Sequence, residues 1–235
     1  METLYQKLEQ DPRYTEGLKA CFNCGTCTAV CPAAAVSDYD PRMIIDLVQQ
    51  KDEAALEQLL RSDTIWMCGE CLSCKTRCPR GNTPCYIIQA LRALSIEGGF
   101  FTDSGQGRKQ LALKRTIGEH LLEYGYCIYI DEISLDMYPE QGPVWQWFLD
   151  HRSAILERLG ASYKMDRAGA LRNIDEVTMN ELRQIFEESG AMKRFEKIEA
   201  ASEEYARKTG SRFGEGKDEY FNRLYHGNEA GKNDE

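Results

Sequence analysis

The chain has 235 residues, 42% of them apolar and 29% charged, which allows one or two domains around a core of ordinary size. Its formal charge of −9, from 29 basic and 38 acidic residues, argues against nucleic-acid partners, which are held through positive charge. No stretch approaches the ~18 apolar residues of a membrane helix. The opening Met1-Glu2-Thr3-Leu4-Tyr5-Gln6-Lys7 has no basic stretch followed by an apolar run, so a cytoplasmic protein without direct membrane insertion is expected.

In chain order, residues 2 to 10 predict a short helix with Leu4 and Leu8 on one side, ended by Asp11-Pro12. Tyr14 to Ala20 reads as an irregular lead-in. The run Cys21-Phe22-Asn23-Cys24-Gly25-Thr26-Cys27 continues to Cys31-Pro32, and its spacing recurs at Cys68, Cys71, Cys74 and Cys78-Pro79. Two C-x2-C-x2-C-x3-C-P runs are the pattern of two [4Fe-4S] clusters, in which the fourth cysteine of each run serves the other cluster. The expected sets are therefore Cys21, Cys24, Cys27 with Cys78, and Cys68, Cys71, Cys74 with Cys31. Pro32 and Pro79 favour that exchange, because each biases the cysteine before it away from helix. The alternative metal is zinc in two four-cysteine sites, but these are typically built from two separated Cys pairs. Ten cysteines with no secretory signal also suit a reducing compartment, where thiols persist as metal ligands.

Between the runs, Asp40 as cap and Pro41 at the first position predict a helix burying Met43, Ile44, Leu47 and Val48. Asp52 starts another with Ala55, Leu56, Leu59 and Leu60 on one face, and Asp63 to Trp66 lead into the second run, where Trp66 is placed to shield a cluster. Thr83-Pro84 opens a helix carrying Ile87, Ile88, Leu91 and Leu94 until Gly98-Gly99. Helices rather than strands join the motifs. The expected fold is all-α: an α-helical dicluster ferredoxin-like domain over 1–100, then a helical extension.

In that extension, 101–209, Ser104 to Gly107 reads as a loop. Leu113, Ile117 and Leu121 predict the inner face of a helix, and Cys127 to Ile130 a short strand. Pro143 opens a helix with Val144, Trp147, Phe148, Ile155, Leu156 and Leu159 inward. Thr178 to Glu181 reads as a capping box, followed by Leu182, Ile185 and Phe186. Gly190 precedes a last helix with Phe195, Ile198, Ala201 and Tyr205. The polar tail, 210–235, is expected to be loose alone despite Phe213, Tyr220, Phe221 and Tyr225.

Outside the runs, Cys85 and Cys127 read as small buried hydrophobes. His120, His151 and His226 are isolated, Lys75, Arg77 and Arg80 form a basic group beside the second run, and Trp145 and Trp147 are interface candidates. No catalytic constellation is present, so no catalytic residue is assigned and the chain has no substrate site of its own.

Cys21-x-x-Cys24-Gly25-x-Cys27-Thr28 with Cys31-Pro32, and Ile65-Trp66-x-Cys68 with Cys78-Pro79-Arg80-Gly81, resemble the C subunit of heterodisulfide reductases and of heterodisulfide-reductase-like complexes, over about residues 15 to 100. The resemblance implies an electron-transfer subunit of an oxidoreductase complex. Its eight run cysteines would hold two [4Fe-4S] clusters between an A-type flavin subunit and a B-type subunit with thiol/disulfide chemistry. The B-type signature of adjacent cysteines is absent from this sequence. The extension beyond residue 100 departs from methanogen C subunits and is similar to that of bacterial complexes of cytoplasmic sulfur oxidation. Alternatives are the iron-sulfur subunit of a flavin dehydrogenase of succinate or glycolate type, and a structural zinc scaffold.

Overall fold

The computed structural model describes residues 2–214, 216 and 218–226, apart from the side chain of residue 140. All regular structure among them is helical, with no strand. The chain divides into two compact units, Met1–Arg108 with Ala200–Ser202, and Lys109–Glu199 with Glu203–Glu235.

The first unit contains α1 (Leu4–Gln10), α2 (Pro12–Gly17), α3 (Thr26–Ala29), α4 (Pro41–Gln50), α5 (Glu53–Arg61), α6 (Ser73–Arg77), α7 (Pro84–Glu97) and α8 (Gly105–Arg108), with 3-10 turns at Thr64–Met67 and Phe100–Asp103. Asp11, Asp40 and Asp52 each accept backbone N–H groups of the helix that follows. Pro12, Pro41 and Pro84 sit at first helical positions, where no N–H is needed. Asp11-Pro12 thus opens α2 as well as ending α1, and part of the expected lead-in is helix. Ser104 to Gly107, read as a loop, enters α8; Ser104 Oγ accepts from Gly107 N at 2.8 Å and donates to Asp63 at 2.5 Å.

Leu8, Ile44, Ile45, Val48, Leu56, Leu60, Ile65, Ile87, Ile88 and Leu91 form one core, none more than 2% exposed. The stripe of α4 runs Pro41, Ile44, Ile45, Val48, the i, i+3, i+4, i+7 pattern of a buried face. Met43, expected inside, is exposed. Helix α2 lies so close to α7 that a Cβ on Gly17 would stand 2.9 Å from Ile87 Cδ1. Ser95, buried on α7, ties that helix to α5 by donating to the Leu60 carbonyl at 2.7 Å.

The second unit contains α9 (Gln110–Leu113), α10 (Glu119–Tyr124), α11 (Pro143–Arg158), α12 (Glu176–Glu188), α13 (Ala191–Lys208) and α14 (Glu219–His226). A π-helical segment, Lys114–Gly118, joins α9 to α10 with the backbone helical throughout. The wider turn shifts the faces. Leu113 and Ile117, expected inside, are exposed, while Leu111, Ala112, Arg115 and Thr116 are buried. The expected strand at 127–130 is absent: Tyr129 instead stacks on Tyr124 with ring centres 4.1 Å apart, and Ile130–Glu132 is a 3-10 turn. The extended stretch has no neighbouring strand to bond to.

On α11 only Leu156 is buried, and Val144, Trp147 and Leu159 face outward. Helix α12 begins before the expected capping box: Asp175 accepts from Thr178 N at 2.9 Å, Met179 is buried and Ile185 exposed. The tail expected to be loose carries α14, whose Tyr220, Phe221 and Leu224 are buried. Phe221 packs with Ala112 and Met137, flanked by Tyr138 and Tyr225. Aromatic burial there outweighs the polar composition of the flanking chain. Residues 227–235 of the tail lie outside the described residues.

Candidate functional site

The two cysteine runs are copies in backbone as well as in spacing. Asn23 and Gly25 have φ of 57° and 78°, and Glu70 and Leu72, at the same positions of the second run, 54° and 60°. In each run the second turn of left-handed backbone precedes a short helix, α3 or α6. Alternation of left- and right-handed residues turns successive N–H groups inward into an anion-binding concavity, a geometry used at iron-sulfur sites. Asn and Gly accept this conformation readily, whereas Glu and Leu adopt it at about 1–3 kcal/mol each and need support.

The support comes from the helix after each run, at matching positions. Five residues into α4 from Pro41, Asp46 accepts from Asn23 Nδ2 at 2.6 Å, and eight residues in, Gln49 donates to the Cys21 carbonyl at 3.2 Å. Five residues into α7 from Pro84, Gln89 donates to Glu70 Oε2 at 2.9 Å, and eight residues in, Arg92 donates to the Cys68 carbonyl at 2.6 Å. Arg92 also reaches the Ile65 carbonyl at 2.8 Å and Glu70 Oε1 at 2.5 Å. These gripping residues escaped the sequence reading; their signal was the repeat of polar residues at equal offsets from the two helix-opening prolines.

Within each run the thiols divide the same way. Cys24 and Cys71 are exposed, and the hydroxyls of Thr26 and Ser73, 3.2 Å and 3.4 Å from their sulfurs, hold both thiols below the ordinary range. Burial pushes the half-buried Cys27 and Cys74 up. Cys68 is lowered, first by the hydrogen-bonded Cys85 thiol.

The fourth cysteines, Cys31 and Cys78, have different surroundings. Cys31 lines a cavity of about 110 Å³ with Cys68, Cys71 and Cys74, several times the room one water needs. Cys27, Tyr39, Pro41, Pro84 and Cys85 complete much of its wall. Cys78 accepts from Asn82 N at 3.3 Å. The Asn82 side chain accepts from Lys19 N at 2.8 Å and donates to the Ala20 carbonyl at 3.1 Å, which ties this loop to the residues just before Cys21. Thr83 N adds a bond to the Gly17 carbonyl at 2.8 Å. A zinc ion would need its sulfurs about 2.3 Å from one point. Among the described residues no three Cys, His, Asp or Glu side chains converge on a single ion; Cys27, Cys31, Cys68, Cys71 and Cys74 line one cavity.

Other singled-out residues have ordinary surroundings. Cys85 is buried as expected but in the cavity wall, and Cys127 is exposed rather than buried. Trp66, expected to shield a cluster, packs with the core, with the Arg92 guanidinium 5.6 Å from its ring centre. Lys75 lies over the Tyr86 ring at 5.2 Å, and Arg77 and Arg80 are exposed. Trp145 donates to the Ile133 carbonyl at 2.9 Å, and His151 stacks on exposed Trp147 at 4.7 Å. His120 and His226 contact the rings of Tyr124 and Tyr225.

The family described as 4Fe-4S dicluster domain matches residues 17–82. The chain is 35% identical over 205 residues, 86% of itself and 75% of the other protein, to the C subunit of the ferredoxin:CoB-CoM heterodisulfide reductase of Methanosarcina acetivorans. To the iron-sulfur C subunit of the CoB--CoM heterodisulfide reductase of Methanopyrus kandleri it is 29% identical over 120 residues, 49% of this chain and 61% of that protein. To the C subunit of the H(2):CoB-CoM heterodisulfide,ferredoxin reductase of Methanothermobacter marburgensis it is 25% identical over 144 residues, 58% and 71%. A match over 86% of the chain takes in most of the segment beyond residue 100. That extension therefore does not set the chain apart from the M. acetivorans subunit, contrary to the expectation from sequence. The length of this match, added to the paired runs, decides the matter: the chain belongs to the heterodisulfide reductase C subunits, iron-sulfur electron-transfer subunits with two [4Fe-4S] clusters.

Proposed function

We propose that this chain works in a cytoplasmic heterodisulfide-reductase-type complex, between an A-type flavin subunit and a B-type subunit whose adjacent cysteines act on a mixed disulfide of two thiols. The observation that carries the reading is the cavity shared by Cys31 with Cys68, Cys71 and Cys74, because it joins the two runs into one unit. In this reading Cys21, Cys24, Cys27 and Cys78 hold one cluster, and Cys68, Cys71, Cys74 and Cys31 the other. Bound there, the clusters supply one-electron carriage. The chain's own residues shape the two nests, through Asp46 and Gln49 on one side and Gln89 and Arg92 on the other, and keep the ligands in place as charge changes. No two cysteines are adjacent in this sequence, which supports leaving the sulfur-sulfur chemistry to the B-type partner.

A role in sulfur oxidation drew on the extension, which is largely shared with the M. acetivorans protein; the mixed-disulfide reading is the one retained. Tagging the chain in its native host, purifying it without oxygen and identifying the bound proteins tests the proposal. The expected partners are a flavoprotein and a chain with adjacent cysteines. Recovery with a succinate- or glycolate-type flavin dehydrogenase alone would overturn it.

A further inference from the structure

Tyr39 stands in the wall of the cavity at the second run, 4% exposed, and its hydroxyl oxygen is buried without a hydrogen-bond partner. Buried tyrosine hydroxyls normally find a partner, and leaving one unpaired costs about 1–3 kcal/mol. The same cavity is lined by Cys31, Cys68, Cys71 and Cys74. The orphan donor therefore faces the place where sulfur acceptors gather.

The internal repeat supplies a comparison. Tyr39 stands two residues before Pro41, and Asn82 two residues before Pro84. Asn82 is buried too, but its side chain is satisfied by Lys19 N at 2.8 Å and the Ala20 carbonyl at 3.1 Å, and only its backbone N–H reaches the Cys78 sulfur. At equivalent positions one site thus has a phenol without a nitrogen or oxygen partner and the other a side chain committed to protein. A phenol is protonated at neutral pH and can donate.

We propose that the Tyr39 hydroxyl donates a hydrogen bond to sulfur of the cluster held by Cys31, Cys68, Cys71 and Cys74, and raises the reduction potential of that cluster alone. The proposal rests on the ligand sets given above. Reduction adds negative charge to the cluster, and a hydrogen bond to a more negative acceptor is stronger, so the donor favours the reduced form; hydrogen bonds to the sulfurs are a recognised determinant of potential. Tyr39 is in this sense a positioning residue that makes two otherwise repeated sites unequal.

The test compares wild type with Tyr39→Phe, both isolated anaerobically in the native complex, by iron and sulfide content and by redox titration followed with electron paramagnetic resonance. Equal iron and sulfide are expected, with one cluster signal shifted to lower potential and the other unmoved. The shifted signal should be the one that Cys71→Ser abolishes. No shift, an equal shift of both signals, or a shift confined to the signal that Cys24→Ser abolishes would overturn the proposal. Failure of the ligand sets reads out separately: Cys31→Ser would then abolish the Cys24 signal instead of the Cys71 signal. Thermal unfolding of the cluster-free chain guards against a purely structural role. There Tyr39→Phe should be as stable as wild type or more so, and a clear loss would mean that the hydroxyl serves a protein partner, against the proposal.

Discussion

Glu70 holds a left-handed backbone that its side-chain type does not favour, with φ of 54°, because Arg92 and Gln89 grip both of its carboxylate oxygens. Arg92 adds two backbone carbonyls to that grip, and charge-assisted bonds of this kind are each worth about 1.5–3 kcal/mol. Arg92→Ala is therefore expected to lower thermal stability by about 2 kcal/mol and to speed iron loss from the second run relative to the first, measured by calorimetry and by timed chelation. Gln49, at the matching position of α4, makes a single bond of this type at 3.2 Å, so its loss should do less. The fourth cysteines give a sharper test of the ligand sets: Cys31→Ser should remove the same spectroscopic signal as Cys71→Ser, and Cys78→Ser the same signal as Cys24→Ser. If each instead matched its own run, the exchange would be ruled out. None of these side chains stands out by type. Arg92 reads on its helix as a solvent-facing charge, and only the closeness of α7 to the second run gives it work.

At the scale of the element, the helix from Gln110 to Tyr124 departs furthest from its pattern. Its apolar residues at spacings of four suggested one inner face, but the π-helical segment turns Arg115 inward, 4% exposed at its side chain. There Arg115 donates to Glu199 at 2.7 and 2.9 Å and to the carbonyls of Gly214 and Gly216 at 2.9 and 2.6 Å. Burial alone would raise the Glu199 pKa, but the bonds from Arg115 and Lys114 outweigh it and hold the carboxyl below its usual range. The folded-state pKa thus lies below the unfolded value of about 4.3. The resulting stability is fully present above that value and is lost as pH falls through the folded one. Helicity of the second unit should therefore weaken steeply below about pH 4, and Glu199→Gln should flatten that slope while lowering stability at neutral pH, as followed by circular dichroism. Arg115→Ala leaves Glu199 half-buried without its main partner and should destabilise by about 3–5 kcal/mol, while Arg115→Met should cost less. By contrast, α4, α5 and α7 were legible in advance, because Asp40-Pro41, Asp52 and Thr83-Pro84 declare their starts locally.

Across the whole molecule, the first unit rests on two different grounds. The core around Ile44, Leu60 and Leu91 is apolar, with Cys21, Cys31 and Cys68 packed against its edge, whereas the runs 21–31 and 68–78 are otherwise short helices and left-handed turns. Removing iron with a chelator should raise hydrogen exchange most in those two runs and least in α5 and α7, since metal binding and folding are coupled where the site is built by the metal. Uniform loosening of the first unit would contradict that division. No helix among the described residues is long and apolar enough to cross a membrane.

What the sequence by itself determined is the chemistry: eight cysteines at repeated spacing, the helices announced by their caps, and the absence of adjacent cysteines. These signals are local, carried by residues within one turn or one run, and they survive without knowledge of the fold. What only the tertiary structure decided is which residues meet across long separations: Arg92 with the Ile65 and Cys68 carbonyls, Asn82 with the residues before Cys21, and Arg115 with Glu199. Such pairings follow from how helices pack, and packing depends on the whole apolar surface being buried at once, so no single segment carries the instruction.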